Sequence, residues 1–168
     1  MQCPACSRAL TEVKLQSLTV NACSGGCGGL WFDHFGLLKV EYSDAKEGET
    51  LLNIQTDPDV KIDSKRKRSC PKCNMIMMHH FFSVKKQVTV DECPKCAGFW
   101  LDAGELATIR SEFHSETERQ VATDKYFNQT FGAQQKALLE KDKAEFERFR
   151  KIRNVLGVIS PSNYIRKF

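Results

Sequence analysis

The chain lacks a hydrophobic segment long enough to cross a membrane. The longest apolar run near its end covers only residues 155–159, whereas a transmembrane helix needs about 20 apolar residues. The opening residues, MQCPAC, also lack the basic and apolar parts of a secretory leader. We therefore expect a soluble, cytoplasmic protein in a reducing compartment, where cysteine side chains stay as free thiols.

A strong excess of charge is also missing. The chain has 25 basic and 21 acidic side chains, which gives a net charge of +4. Residues 1–68 carry nine of each sign, and residues 69–132 carry seven basic and eight acidic groups. The surplus lies in residues 133–168, with nine basic and four acidic groups. A tail of this charge suits nucleic acid or an acidic protein surface, and it does not decide between them.

The chain is rich in cysteine, and no cysteine is left over. All eight fall into closely spaced pairs, three of them Cys-x-x-Cys and one with a longer spacing; two pairs lie near the N-terminus and two in the middle of the chain. Two such pairs joined by a β-hairpin bring four thiolates together in a tetrahedron, which is a closed structural zinc site. A redox Cys-x-x-Cys would leave the second pair of each group unexplained. The predicted ligands of two zinc ions are Cys3, Cys6, Cys23, Cys27, Cys70, Cys73, Cys93 and Cys96.

The cysteine pairs belong to an internal duplication. Cys3-Pro-Ala-Cys6 corresponds to Cys70-Pro-Lys-Cys73, and the segments after the last ligands, CGGLWFD and CAGFWLD, correspond as well. We call these two stretches the first and the second repeat. A repeat of this size, some 35 to 40 residues, buries too little apolar surface to fold without a metal or disulfides.

These observations predict the fold and its division. We expect a small, metal-stabilised α+β protein with two tandem zinc ribbons, each a short antiparallel hairpin with zinc-binding turns, followed by a helical segment. The predicted segments are a ribbon at 1–38, a polar linker at 39–68 with a short helix near residues 48–54, a ribbon at 69–106, and basic amphipathic helices at 107–168.

The first repeat departs from the second. Three residues separate Cys23 from Cys27, where every other pair has two. The additional residue must bulge, so we predict a looser first site and leave open its use in thiol redox chemistry or metal sensing. His34 is a minor alternative ligand, and iron is an alternative metal, because four thiolates also hold iron.

Other candidate residues have simpler explanations. We expect Trp31 and Trp100 to pack over the metal sites, although exposed tryptophans could stack on bases. His79 and His80 are predicted to be edge residues and not ligands. Asp102 and Glu105 have the spacing of a helix capping box, which explains them without acid–base catalysis. The basic run at residues 65–68 is a solvated part of the linker, a phosphate contact or a targeting signal.

The C-terminal segment has helical periodicity. Leu106, Ile109 and Phe113 form one predicted buried stripe, and Gly132 is predicted to break the pattern. A second helix is then expected at about 133–155. Its apolar stripe, which suits packing on the ribbons, on the preceding helix or in a homo-oligomer, is Leu138, Leu139, Phe146, Phe149, Ile152 and Leu156.

The stretch CPKC followed by CPKCAGFWLDAGEL resembles the transcription-factor-IIB-type zinc ribbon of small bacterial zinc-finger, nucleic-acid-binding proteins. Residues 70–106 match its pattern closely. Residues 3–38 match less well, because a residue is inserted and Phe35-Gly36 stands where the pattern has Gly-Glu. The resemblance implies bound zinc and a ribbon fold, and it implies nucleic acid only weakly, because zinc ribbons also serve as protein adaptors.

We therefore predict a non-enzymatic module with structural zinc that engages a protein partner or nucleic acid, in a role connected with transcription. A closed four-thiolate site has no open coordination position for a catalytic water, which argues against an enzyme.

Overall fold

A computed structural model describes residues 1–42, 45–63 and 66–159, with the side chains of residues 153–159 left out of the description. Lys65 in the basic run and the side chain of Leu156 therefore lie outside the described part. The chain divides into two compact units, Met1–Ala122 and Thr123–Phe168.

The first unit contains one antiparallel sheet of six strands. The strands are β1 (Thr11–Lys14), β2 (Thr19–Ala22), β3 (Leu30–Phe32), β4 (Met78–Phe81), β5 (Thr89–Glu92) and β6 (Phe99–Leu101). Their order across the sheet is β1-β2-β3-β6-β5-β4. The two predicted ribbons are therefore the two halves of a single sheet, a feature that the tandem arrangement did not predict.

The two halves have the same register. Thr11 pairs with Ala22 in the first hairpin, and Met78 pairs with Glu92 at the corresponding place in the second. In the middle of the sheet, Trp31 of β3 pairs with Trp100 of β6. Because these tryptophans are equivalent residues of the two repeats, an approximate two-fold axis passes through the pair, and each repeat contacts the other in the same way.

Side chains alternate along these short strands, so the sheet has two different buried faces. One face carries the aliphatic residues Val20, Leu30, Phe32, Val90 and Leu101, which are buried in a hydrophobic cluster. The other face carries Trp31, Trp100 and the buried cysteines. The first face is the main core of the unit, and the second faces the cysteine groups.

The segment that we expected to be a polar linker also packs on the aliphatic face. Val40, which follows a 3-10 helix (Leu37–Lys39), and Leu51 of helix α1 (Lys46–Leu51) belong to the cluster, as does Leu37 at the end of the first ribbon. The short helix predicted near residues 48–54 is thus present a little earlier in the chain. Apolar residues spaced within a charged stretch are enough to fix the segment to the sheet.

Helix α2 (Glu105–Glu112) covers the remaining part of the core, with Leu106 and Ile109 buried in the cluster and Phe113 buried just after it. The predicted buried stripe of this helix is confirmed.

Helix α3 runs from Glu116 to Ile159. The predicted break at Gly132 is wrong: the helix continues through this residue, because one glycine costs a helix only about 1 kcal/mol relative to alanine. The described members of the predicted stripe, Leu138, Leu139, Phe146, Phe149 and Ile152, are all exposed. Association through this stripe stays a prediction.

Candidate metal centres

The first group of cysteines lies where the turns of the first repeat converge. Cys3 and Cys6 belong to the turn before β1, and Cys23 and Cys27 belong to the loop between β2 and β3. The Cys3 and Cys27 sulfurs are 3.4 Å apart, as are those of Cys6 and Cys23, and all four lie within 4.8 Å of one another. A tetrahedral zinc ion with Zn–S bonds of about 2.3 Å separates its sulfurs by about 3.8 Å.

The inserted residue does not spread these sulfurs, because the 39–68 segment supports the longer loop. Gly25 N–H donates to the Gln55 carbonyl, and the Gly26 carbonyl accepts from Asp57 N–H, both at 2.8 Å. Gly26 is required here, since a Cβ would lie 2.5 Å from the Cys23 sulfur. Three of the four cysteines are buried, against two in the second group, so the first site is not the more open one. Its predicted weaker affinity stays a prediction.

The second group is built in the same way from the turns of the second repeat. The Cys73 and Cys93 sulfurs are 3.3 Å apart, the Cys70 and Cys96 sulfurs 3.7 Å, and the four again lie within 4.8 Å of one another. Separations of this size are far beyond the roughly 2.05 Å of a disulfide bond, and all eight cysteines are free.

The charges of the sulfurs also favour a cation. The hydrogen bond with the Cys27 thiol lowers the pKa of Cys3 to about 5, and the same bond raises the pKa of Cys27. In the second group, burial raises the pKa of Cys70 to about 12. Four crowded thiols cannot all ionise without a positive charge between them, and a divalent metal ion supplies that charge. Each group can therefore hold one zinc ion.

The two tryptophans pack as predicted and are no base-stacking platform. Both are completely buried, and each indole lies against a glycine of the other repeat: Trp31 against Gly98, and Trp100 against Gly29. Trp100 Nε1 donates to Asp102 at 2.9 Å, whereas Trp31 Nε1 has no partner among the described residues.

A charged network in the second repeat was missed by the sequence reasoning. Arg68, the last residue of the basic run, is buried: it donates to Asp91 at 3.0 Å and also to Asp102. It is thus neither a solvated linker residue nor a free phosphate contact, because its charge is satisfied by two carboxylates. Arg66 and Lys67 of the run are exposed.

This network also corrects half of the predicted capping box. Glu105 reaches back to accept from Asp102 N–H at 2.7 Å, as predicted. The Asp102 carboxylate, however, accepts from Arg68 and Trp100 and not from the start of α2. Burial raises the pKa of Glu105 to about 7.

His79 and His80 lie on the edge strand β4, as predicted. His79 Nδ1 is 3.0 Å from Asp91, and His80 Nε2 is 2.9 Å from Glu92. Neither histidine belongs to a cysteine group, and neither does His34, whose ring contacts Phe35.

Several large apolar side chains of the second hairpin, on β4 and just before it, are exposed. We call the exposed set the apolar edge: Met75, Ile76, Met78 and Phe81, each 45–60% exposed. Met77, which lies among them, is buried.

The first repeat serves as an internal comparison for the apolar edge. The equivalent residues, counted from the preceding cysteine, are Arg8, Ala9, Thr11 and Lys14. The two hairpins therefore share one backbone register and differ in the chemistry of their outer edges.

Two clefts adjoin these elements. A cleft of about 760 Å³ runs beside the apolar edge. Its lining includes Ile76, Met78 and His79, the carboxylates of Asp91, Asp102 and Glu105, and the cations Arg66 and Lys67. A second cleft, of about 500 Å³, lies between the first turns of the two repeats and is lined by Arg66, Lys67 and Lys72 with no carboxylate.

None of the helices in the described part of the chain is both long enough and apolar enough to span a bilayer. The comparison with curated proteins found no match, and the comparison with solved structures found none either. A family model described as the transcription factor zinc-finger of the TFIIB-type zinc ribbon matches residues 2–41 and 69–112, which together make up half of the chain and contain both cysteine groups. The chain belongs to this TFIIB-type zinc-ribbon family and carries two copies of its ribbon.

Proposed function

We propose that the protein is a non-catalytic interaction module in which eight cysteines ligate two structural zinc ions and the second ribbon binds a protein partner. The convergence of two sets of four cysteine sulfurs supports the metal part. Metal analysis of freshly purified protein should give two zinc ions per chain and no rapidly reacting thiol. Disulfides in place of metal would contradict it.

The partner part is carried by the apolar edge. A soluble protein rarely leaves several large apolar side chains exposed together unless another surface covers them. The first ribbon has a similar backbone with polar or small residues at the same places, so the fold itself does not require this surface. The exposed residues of the second ribbon are therefore best explained by a partner.

This assignment can be tested by a graft that replaces the apolar edge with the equivalent residues of the first repeat, which the same backbone already carries. The variant Met75→Arg, Ile76→Ala, Met78→Thr and Phe81→Lys gives the second ribbon the residues that the first ribbon carries. In a quantitative pull-down from cell extract, the graft should lose the protein that the unchanged chain captures. The matched control is Glu12→Gln with Lys14→Gln, two exposed changes on the opposite edge. Capture that is equal for the graft and the unchanged chain would contradict the assignment.

Nucleic acid is the second candidate, and a separate observation favours it. Arg66, Lys67 and Lys72 line the cleft between the first turns of the ribbons, although Lys72 also pairs with Asp33 at 2.7 Å. Binding through these residues would weaken steeply with salt, because neutralised phosphates release counterions. Titration of a fluorescent duplex DNA and of a single-stranded RNA at several salt concentrations tests it. Replacing Arg66 and Lys67 by glutamine should then flatten the salt slope.

The alternative of thiol redox or metal sensing at the first site has less support. All four of its cysteines converge, and a filled site leaves no free thiolate. Titration of the thiols in the protein as purified separates the two cases: rapidly reacting thiols at the first site would support a redox role, and a filled structural site should show none.

A further inference from the structure

The residues just before β4 pair through their backbones with Arg68 and Ser69, on the side of the strand that faces away from β5. Met77 N–H donates to the Arg68 carbonyl at 2.9 Å, and Ser69 bridges to Ile76. Backbone groups on one side of a strand recur every second residue. The N–H and C=O groups of His79 and Phe81 therefore point to the same outer side as those of Met77, and β4 is the last strand of the sheet.

The apolar side chains lie on both sides of this edge. Met78 is opposite Glu92 and Phe81 is opposite Thr89, so the two side chains project from opposite faces of the sheet. A partner that docked flat on one face would cover only one of them. A strand laid along the edge contacts both, and this is the usual arrangement when a peptide extends a sheet.

The opposite edge of the sheet lacks these features. β1 presents Glu12 and Lys14, and charged side chains of this kind are a common means of keeping an edge strand from pairing. The edge strand β4 has the sequence MHHF, without lysine, glutamate or proline. Of the two sheet edges that the structure describes, β4 is the one open to an added strand.

The cleft beside β4 indicates which side chain the added strand carries. Its lining holds the carboxylates of Asp91, Asp102 and Glu105 together with the exposed cations Arg66 and Lys67. The buried Arg68 pairs with the two aspartates, while no lysine, arginine or histidine in the described part of the chain forms an ion pair with Glu105. The raised pKa of Glu105 agrees with this, because burial raises that pKa more than the nearby Arg68 cation lowers it. Among the three carboxylates of the cleft, Glu105 is therefore the one with which a lysine or arginine side chain of an added strand can pair.

We propose that β4 accepts an extended segment of a partner protein as a seventh strand, with a lysine or arginine side chain of that segment placed in the cleft beside Glu105. The inference rests on the proposed function and specifies its mode and ligand: a basic, otherwise apolar extended peptide. Basic selectivity follows from Glu105, and the extended conformation follows from the outward backbone groups of His79 and Phe81.

The probe is a phage library of random 12-residue peptides, selected on the zinc-loaded full chain and counter-selected on the repeat graft. We expect the enriched peptides to place a lysine or arginine among apolar residues that alternate with it. A synthetic peptide of the enriched sequence is then methylated on one backbone amide at a time. Methylation should abolish binding at every second position, because alternate amides face β4. Failure to enrich any peptide that the graft rejects would overturn the inference.

A double-mutant cycle tests the cation. Glu105→Gln is combined with replacement of the peptide's basic residue by norleucine or glutamine, and the four affinities are measured by calorimetry. Each single change should weaken binding about tenfold and the double change little further, since both remove the same interaction. Additive losses would overturn the role of Glu105, and losses without the every-second-residue pattern would overturn strand addition. The proposed function is tested separately by the graft. If the graft fails to capture the partner protein that the unchanged chain captures, the proposed function is supported even when strand addition or the role of Glu105 is overturned.

Discussion

At the scale of single residues, Arg68 is the cation on which the polar network of the second ribbon depends. Its side chain is 3% exposed and faces both Asp91 and Asp102. The first repeat has Met1, Asn21 and Asp33 at the equivalent positions, so there the buried aspartate is replaced by a neutral amide. The first repeat therefore lacks both the arginine and the charged carboxylate that is equivalent to Asp91.

We predict that Arg68→Met destabilises the protein by about 3–5 kcal/mol, since removing one partner leaves buried charges uncompensated. Adding Asp91→Asn should recover part of this loss, because the pair then matches the first repeat. Denaturant unfolding in excess zinc measures both variants. The control is Asp91→Asn alone, which should also destabilise. If the double variant were less stable than Arg68→Met, the network would have been misassigned.

Glu105 gives a pH dependence whose sign can be worked out. Its carboxyl group has an ordinary pKa of 4.5, and burial raises it to about 7 in the folded protein. As the pH rises between these values, the unfolded chain releases a proton that the folded chain keeps. The contribution of this group to stability therefore falls over that range.

The measurement is the melting temperature of the unchanged protein and of Glu105→Gln between pH 5.5 and 8. Glutamine still offers an oxygen to Asp102 N–H and cannot ionise. The variant should gain a few degrees relative to the unchanged protein as the pH rises. Zinc loss at low pH affects both proteins, so the difference between them isolates Glu105. Two parallel curves would show that the carboxyl group ionises normally in the fold.

At the scale of elements, the pairing of β3 with β6 depends on close contact between the repeats. A Cβ added to Gly98 would overlap the Trp31 ring and come within 2.9 Å of the Phe32 carbonyl. Neither the Trp31 ring nor the Phe32 carbonyl can move easily, because Trp31 is completely buried and Phe32 belongs to β3 in the middle of the sheet. The glycine two residues after the last cysteine of each repeat is therefore required by the other repeat.

Gly98→Ala should destabilise the protein by about 1–3 kcal/mol through overpacking. The matched control is Gly132→Ala in α3, where an added Cβ meets nothing within 4 Å. That change should instead stabilise helix α3 by up to about 1 kcal/mol. Thermal melts followed by circular dichroism compare the two. Equal effects of the two substitutions would argue against the contact between Gly98 and Trp31.

Elements whose residues are close in sequence could be predicted from spacing and periodicity. The cysteine spacing and the repeat predicted both hairpins and both cysteine groups, and Leu106, Ile109 and Phe113 predicted the buried side of α2. The joining of β3 to β6 was not predictable, because pairing between strands distant in sequence leaves no periodic pattern. The burial of Arg68 was missed for the same reason: its partners, Asp91 and Asp102, lie far along the chain. Gly132 misled the prediction because a weak helix former does not end a long helix.

At the scale of the whole molecule, the two cysteine groups stabilise one structure and not two independent ones. Every strand of both repeats belongs to the same sheet, and residues of both repeats share each hydrophobic cluster. Helices α1 and α2 cover the same aliphatic face. Neither hairpin has a complete core by itself, so we expect the folding of each to depend on the metal site of the other.

We therefore predict that loss of the first metal site also unfolds the second ribbon. In Cys23→Ser, amide hydrogen exchange of β5 (Thr89–Glu92) should lose most of its protection, although all four cysteines of the second group are intact. The reciprocal variant, Cys93→Ser, should expose β2 in the same way. Exchange followed by mass spectrometry, with zinc in excess, measures both, and Lys14→Gln on the exposed edge is the control. Full protection of β5 in Cys23→Ser would mean that the ribbons fold independently and that the pairing of Trp31 with Trp100 contributes little to stability.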